Sequence, residues 1–393
     1  FRRSDSRREE GKLVRDGRRY AFQGIGETDI RWDSGHFGRS PLFYTIWIML
    51  HFECDYIRGA HPSVLEGIVR TNMEASPGYG LDDHCRRAEL LILEECGIPE
   101  GRVCFLVGGT QTNACVIDAL LRPHQGVVCA ETGHINVHEA GAIEASGHKV
   151  LALPSGDGKI RASALKDCVE RFYADATYEH YVFPGMVYIS HPTEVGTLYG
   201  LDELEALGSE CRRLGMPLFM DGARLVYGLA ADGTDVSLKD IARICDVFYI
   251  GGTKAGTLFG EAVVVRVPEL LPHFFTLVKR HGALLAKGRL LGVQFETLFS
   301  GGLYKEIGEH AVRMAIKLKE GFVSNGYRLC VDSPTNQQFI ILPNEVMDKL
   351  ACKAEFSVWG VRGQKETAVR FVTDWSTSEA DVDSLLDSLR GCS

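Results

Sequence analysis

The chain reads as an α/β protein with a mostly parallel sheet covered by helices, followed by a small α+β domain. Three observations carry that reading. Short apolar runs recur from Val103 onward, each about as long as one buried strand. Segments of helical period lie between them, and strands alternating with helices imply a parallel sheet buried on both faces. The pattern then changes after Gly302, where helices and strands cease to alternate regularly.

The strands are VCFLVG from Val103, VVCA from Val127, KVLALP from Lys149, MVYIS from Met186, PLFM from Pro217, VFYI from Val247 and EAVVVRV from Glu261. Between them, Val116, Ala119 and Leu120 mark one face of a helix, and Leu201, Leu204, Leu207, Cys211 and Leu214 mark another. After Gly302, the stripe Ile307, Ala311, Met314, Ala315, Leu318 and Phe322 predicts a long helix. The runs NGYRLCV, QQFIILP, FSVWGV and AVRFVTDW follow, with the helical segment NEVMDKLACK among them. A last helix carries Val382, Leu385, Leu386 and Leu389, with Ser376 or Ser378 as its N-cap. The domains expected are therefore residues 49–302 and 303–393.

Residues 1–48 read differently. They are charged and aperiodic, and the apolar stretch Leu42–Leu50 is too short to span a bilayer. Its flanks do not suit a signal peptide. The segment is expected to be a dispensable extension, or a stretch foreign to the native chain, rather than an ordered arm. Composition bounds the rest. The chain has 393 residues, 45% of them hydrophobic, enough for two or three domains with a real core. A net charge of −9, with no basic run beyond the N-terminus, argues against a nucleic-acid surface. Twelve cysteines without a C-x-x-C pair read as reduced, buried thiols in a cytoplasmic protein.

The chemistry is expected where strands end. Lys254 in YIGGTKAG follows one apolar run, and Asp221 in PLFMDGAR follows another. A lysine at the end of one buried strand and an aspartate at the end of another are what pyridoxal phosphate requires. The amine forms a Schiff base with its aldehyde, and the carboxylate keeps the pyridine nitrogen protonated. GGTQTN (Gly108–Asn113) follows a strand and opens a helix, so its free N–H groups suit a single phosphate; a plain tight turn is the alternative. It matches neither a dinucleotide fingerprint nor a triphosphate loop. Lys254 on the surface and Asp221 as a turn cap are the plain alternatives for those two. Arg224 pairs with Asp221 or faces the ligand.

His134 and His138 are spaced for one helix face, but no third zinc ligand is evident, and no metal is expected. A lid over an aromatic ring fits His134 better; a satisfied core histidine is the bland option. Glu194 in SHPTEVG reaches the pocket mouth or is a solvated turn residue, and His191 has a weaker claim. Arg370 lies inside an apolar strand, where a charge needs a partner: a substrate carboxylate or an internal ion pair.

From about Phe52 to its end the chain resembles the low-specificity L-threonine aldolases of the aromatic amino acid β-eliminating lyase group, which have the pyridoxal-phosphate fold of aspartate aminotransferase (fold-type I). DYIRGAHPSVLEGI, PGYGLDDHC, GGTQTN, GHINVHEAGAIE, MDGAR, GGTKAGTLFGEAVVV and VRFVTDW carry the resemblance, in order. It implies a large domain with a mostly parallel seven-stranded sheet and a small C-terminal domain. It implies Lys254 as the cofactor lysine, Asp221 at the pyridine nitrogen and His134 stacked on the ring. Gly109, Thr110 and Gln111 would form the phosphate loop. Arg224 would lie near the cofactor oxygen and the substrate carboxylate, and Arg370 would clamp that carboxylate. Tyr79 would reach the site across a subunit interface, so a homodimer or homotetramer is expected.

Two departures from the family matter. Cys54 stands where many relatives have a substrate-binding serine, and Glu194 stands where many have a second histidine. The activity implied is cleavage of L-threonine, L-allo-threonine or related β-hydroxy amino acids to glycine and an aldehyde. His134, Glu194 or a water between them takes the hydroxyl proton. A β-eliminating lyase or another pyridoxal-phosphate reaction would use the same lysine and aspartate.

Overall fold

The computed structural model describes residues 49–391 and the short strands Val14–Arg15 and Arg18–Arg19. The chain divides into two units, residues 1–47 and 48–393. In the first, the two short strands pair antiparallel. Otherwise the expectation that residues 1–48 are an extension falls outside the described residues.

In the second unit every apolar run named above becomes a strand. They are β1 (Arg102–Leu106), β2 (Gln125–Ala130), β3 (Val150–Leu153), β4 (Phe183–Ser190), β5 (Leu218–Asp221), β6 (Val247–Gly251) and β7 (Glu261–Val265). They form a 7-stranded sheet in the order β1-β7-β6-β5-β4-β2-β3. All but β7 point the same way; β7 is inserted antiparallel between β1 and β6. Alternate side chains go to opposite faces, as the pleat dictates. Val187, Ile189, Phe248 and Ile250 enter one core, beneath helices that include Leu201–Leu214 and Asp83–Cys96. Met186, Tyr188, Phe219 and Tyr249 enter the other, beneath Gly109–Leu120. Burial on both faces explains why these strands read as unbroken apolar runs.

A 4-stranded antiparallel sheet follows: β8 (Arg328–Val331), β9 (Gln337–Pro343), β10 (Ser357–Val358) and β11 (Glu366–Val372), in the order β8-β9-β11-β10. The long helix is Leu303–Ser324 and serves both cores. Ile307 and Ala311 pack under the large sheet, and Leu318 and Phe322 under the small one. Phe52 joins the small core, and Leu50–His51 pairs with Ala354–Glu355. The last helix is Glu379–Arg390, and Ser378, rather than Ser376, is its cap, in a capping box with Asp381. Cys85, Cys96, Cys115, Cys129, Cys211 and Cys245 are buried free thiols, while Cys330 and Cys352 are exposed. Among the described residues no helix is long and apolar enough to cross a membrane.

Candidate active site

The parallel strands converge on one cavity of about 330 Å³. The loop after β1 brings Val107–Thr110, that after β2 brings His134, and β4 with its following turn brings Ser190 and Pro192–Glu194. Asp221 comes from the end of β5, and Thr253 and Lys254 from the turn after β6. Ligands of open α/β sheets bind at this edge. Because β7 runs backwards, its first residue, Glu261, also lies here.

Asp221 is nearly fully buried. Its Oδ2 accepts from the Tyr188 hydroxyl at 2.6 Å and from Asn113 Nδ2 at 3.1 Å, and its Oδ1 accepts from the Ala223 N–H at 3.0 Å. Burial alone would raise this carboxyl, but His134 and the hydrogen bonds of Tyr188, Tyr249 and Ala223 outweigh it and hold it below its ordinary value. A charged carboxylate at the cavity wall suits a protonated ring nitrogen. The turn-cap role is filled as well, through Ala223.

Burial and the Arg224 guanidinium push the Lys254 ammonium downward, toward the neutral amine, despite Asp55, Asp221 and Glu261. Gly108 is the extended N-cap of the helix Gly109–Leu120, whose first amide to bond back is that of Thr112. Among the described residues the preceding amides of the helix have no backbone partner, and they can receive an anion. A Cβ on Gly108 would meet nothing within 4 Å, whereas one on Gly109 would meet the Tyr249 hydroxyl at 3.1 Å. Gln111 turns back, its Oε1 accepting from the Val107 N–H at 3.2 Å, so its side chain braces the loop.

His134 Nδ1 lies 2.7 Å from Glu139 Oε1, and its backbone N–H donates to Glu194 Oε1 at 2.8 Å. Burial lowers the imidazole, but the Glu139 hydrogen bond and the charges of Asp221 and Glu139 raise it above the usual value. Glu194 also accepts from Ser190 Oγ at 2.5 Å. Burial, with Asp221 nearby, raises its carboxyl despite the Ser190 bond. The rings of His134 and His138 are 5.5 Å apart. The ligand atoms of His134, Glu139 and Asp221 lie within 4.8 Å of one another, and Asn113 donates to both carboxyl groups. His191 is fully buried and outside the cavity lining, and burial pushes it down to about 4.

Arg224 does not pair with Asp221. Its Nε and Nη2 grip Asp55 at 2.7 and 3.0 Å, and Asn336 Nδ2 adds a third contact to Asp55 at 3.0 Å. Burial would raise Asp55, but Arg224 and Lys254 hold it below its ordinary value. Arg370 Nη1 donates to Gln337 Oε1 at 3.2 Å, its guanidinium lies 5.4 Å from the Trp359 ring, and its buried Nε has no partner among the described residues. No ion pair forms at Arg370 among those residues; burial, with Arg224 nearby, lowers it. Arg370 lies outside the cavity lining.

Two expected residues are placed elsewhere in the single chain. Asp55 turns inward to Arg224, and its neighbour Cys54 lines a separate small cleft with Met49, Ile57 and Asp374. Tyr79, at φ 62°, lines a different cavity of about 460 Å³ with Arg86, Arg102 and His273, and Lys279 lies 4.8 Å from its ring. Sequence reasoning missed Asp55, Asn113, Glu139, Tyr188, Tyr249 and Glu261. All six stood in quoted stretches: Asp55 in DYIRGAHPSVLEGI, Asn113 in GGTQTN, Glu139 in GHINVHEAGAIE, Tyr188 in MVYIS, Tyr249 in YIGGTKAG and Glu261 in GGTKAGTLFGEAVVV.

The sheet order, with one reversed strand, and a cavity at its carboxyl edge lined by Lys254 and Asp221 are those of a fold shared with aspartate aminotransferase. The chain superposes on that enzyme from Thermus thermophilus with a TM-score of 0.63 at 14% identity, covering 88% of this chain and 92% of that one. A profile of the beta-eliminating lyase family matches residues 62–373, and the chain belongs to that family. It is 30% identical over 350 residues to a low-specificity L-threonine aldolase from a Pseudomonas species, spanning 86% of this chain and 96% of that protein. It is also similar to a threonine aldolase from Leishmania major, with 41% identity and a TM-score of 0.84 over 87% of this chain and 98% of the other.

Proposed function

We propose that the protein is a pyridoxal-phosphate-dependent aldolase that cleaves L-threonine, L-allo-threonine or related β-hydroxy amino acids to glycine and an aldehyde. The observation that carries this is the meeting of Lys254, Asp221 and the open helix N-terminus at Gly108–Thr110 in one cavity. Those groups match a cofactor with an aldehyde, a ring nitrogen and a phosphate. When bound, the cofactor accepts the electron pair released as Cα–Cβ breaks.

The residues divide the remaining work. Lys254 would supply the amine that holds the aldehyde carbon, Asp221 would keep a proton on the ring nitrogen, and the first backbone N–H groups of the helix, at Gly109, Thr110 and Gln111, would receive the phosphate. His134 would cover the ring. Arg224, fixed by Asp55, and Arg370, with its unpartnered Nε, hold the substrate carboxylate. His134 or Glu194 takes the β-hydroxyl proton. The placement of Cys54 in a separate cleft supports contact between it and substrate less than it supports Asp55 as the residue that orders Arg224.

Tyr79 is proposed to complete the cavity of a second copy of the chain, in a homodimer or homotetramer. Its distance in sequence and fold from the Lys254 cavity, and its half-exposed ring, support that placement. A net charge of −9 and the reduced thiols support a cytoplasmic enzyme acting on a small molecule, without nucleic acid. The test is incubation with each threonine isomer and with L-serine. Glycine and acetaldehyde from a threonine isomer are expected. Pyruvate and ammonia from L-serine, without glycine from either isomer, would replace the aldolase by a β-eliminating lyase.

A further inference from the structure

Glu139 follows the short helical turn His134–Val137 and its C-cap His138, and its carboxyl group is inaccessible to solvent. One oxygen serves two donors: Oε1 is 2.7 Å from His134 Nδ1 and 2.6 Å from Asn113 Nδ2. The same Asn113 amide reaches Asp221 Oδ2 at 3.1 Å. The other oxygen, Oε2, is buried with no partner among the described residues. Such a group is costly to bury, and a bond to a ring that opens into the cavity offsets that cost. One chain of hydrogen bonds thus runs from His134 through Glu139 and Asn113 to Asp221, whose Oδ2 also accepts from the Tyr188 hydroxyl at 2.6 Å.

From this geometry we propose that Glu139 is a positioning residue that acts through His134, fixing its hydrogen on Nδ1 and turning Nε2 toward the cavity as a proton acceptor. The proposal rests on the aldolase reading for its use, but not for its structure. A carboxylate oxygen can only accept, so the hydrogen of this bond belongs to Nδ1. A neutral imidazole then has one lone pair left, at Nε2. A buried carboxylate that orients an imidazole and favours its protonated form is the arrangement that makes a histidine an effective base. It also assigns the neighbours different tasks. Glu194 is engaged by Ser190 and the His134 N–H and fixes the main chain, whereas Glu139 fixes the ring.

The groups facing His134 are Glu139 on its own turn, Asp221 from β5, Lys254 from the turn after β6, Glu194 after β4, and His138. Asp221 and Glu139 favour the imidazolium, and Lys254 opposes it. Removing Glu139 leaves Asp221 as the favouring charge, so the His134 pKa falls.

The experiment is nitrogen-15 NMR of histidine-labelled protein, with and without pyridoxal phosphate, His134 being assigned by His134→Asn. In the wild type, His134 carries its hydrogen on Nδ1 and titrates above 6.5. Glu139→Gln keeps an acceptor, so the tautomer is kept while the pKa falls. Glu139→Ala lowers the pKa and mixes the tautomers. In the loaded enzyme, Glu139→Ala lowers kcat about 10- to 100-fold with KM nearly unchanged. The acid limb of kcat/KM moves to lower pH in Glu139→Gln. If His134 keeps its titration and tautomer in both variants, or in the Gln variant alone should the Ala variant not fold, the proposal is overturned. If His134 shifts as expected but no threonine isomer yields glycine, the positioning role stands and the aldolase reading falls.

Discussion

Arg370 sits in β11 between Val369 and Phe371, both buried, and among the described residues its acceptors are the neutral Gln337 side chain and the Glu53 carbonyl. A guanidinium so placed gains most from an incoming anion. Arg370→Ala is expected to cost about 2–4 kcal/mol of transition-state binding, lowering kcat/KM roughly 30- to 1000-fold, while cofactor binding persists. Steady-state kinetics with L-threonine, with visible spectra of both proteins, check it; an unchanged kcat/KM would mean that Arg370 serves the fold only. His84 gives a second prediction, this one in pH. Its nitrogens lie 2.6 Å from Glu296 and 2.8 Å from Glu74, with Arg87 alongside. Burial lowers it, but the two carboxylates win and raise its pKa above 6.5. A raised folded-state pKa gives stability that is full below the unfolded value and lost as pH rises through the folded one. The Tm gap between wild type and His84→Gln should therefore be widest in mild acid and close in mild alkali; a gap constant with pH would contradict the ion pair.

At the scale of elements, the reversed strand β7 explains what the sequence conveyed and what it withheld. Apolar runs mark buried strands whatever their direction, so Glu261–Val265 was legible as a strand. Its direction was not, because periodicity carries no sign, and Glu261 therefore went unnoticed at the cavity, where burial raises its carboxyl to about 8. Lys254, Asp221, Glu194 and His134 were legible because each follows a run that ends at the same edge. Asp55, Asn113 and Tyr188 were not, since their partners are 169, 108 and 33 residues away in sequence. Gly222 marks how closely β5 and β6 approach: a Cβ there would lie 1.9 Å from the Tyr249 carbonyl oxygen. Gly222→Ala should lower stability by about 1–3 kcal/mol. It should also weaken cofactor retention, because Asp221 precedes it and Tyr249 bonds Asp221. Urea denaturation and cofactor titration check both effects; a variant unchanged in both would mean that the strands can part without cost.

For the whole molecule, the division into residues 49–302 and 303–393 is proposed as the working domain boundary, with two crossings. The helix Leu303–Ser324 serves both cores, and Phe52 packs with the second. The sequence pattern showed the change near Gly302 but not the return of the chain start, because a two-residue strand such as Leu50–His51 has no period to detect. Residues 1–48 are proposed to be dispensable: removing them should leave Tm and activity near those of the full chain. Unfolding or dissociation of the shortened protein, followed by light scattering and thermal melts, would make the segment structural. The central claim is that Lys254 holds pyridoxal phosphate by its amine, in a cavity shared with Asp221. The most direct test is to load the protein with the cofactor, reduce it with borohydride and locate the modified residue by peptide mass spectrometry. The account predicts a phosphopyridoxyl group on Lys254, and loss of both the adduct and the visible absorption band in Lys254→Ala. An adduct on another lysine, or a visible band that survives the substitution, would contradict it.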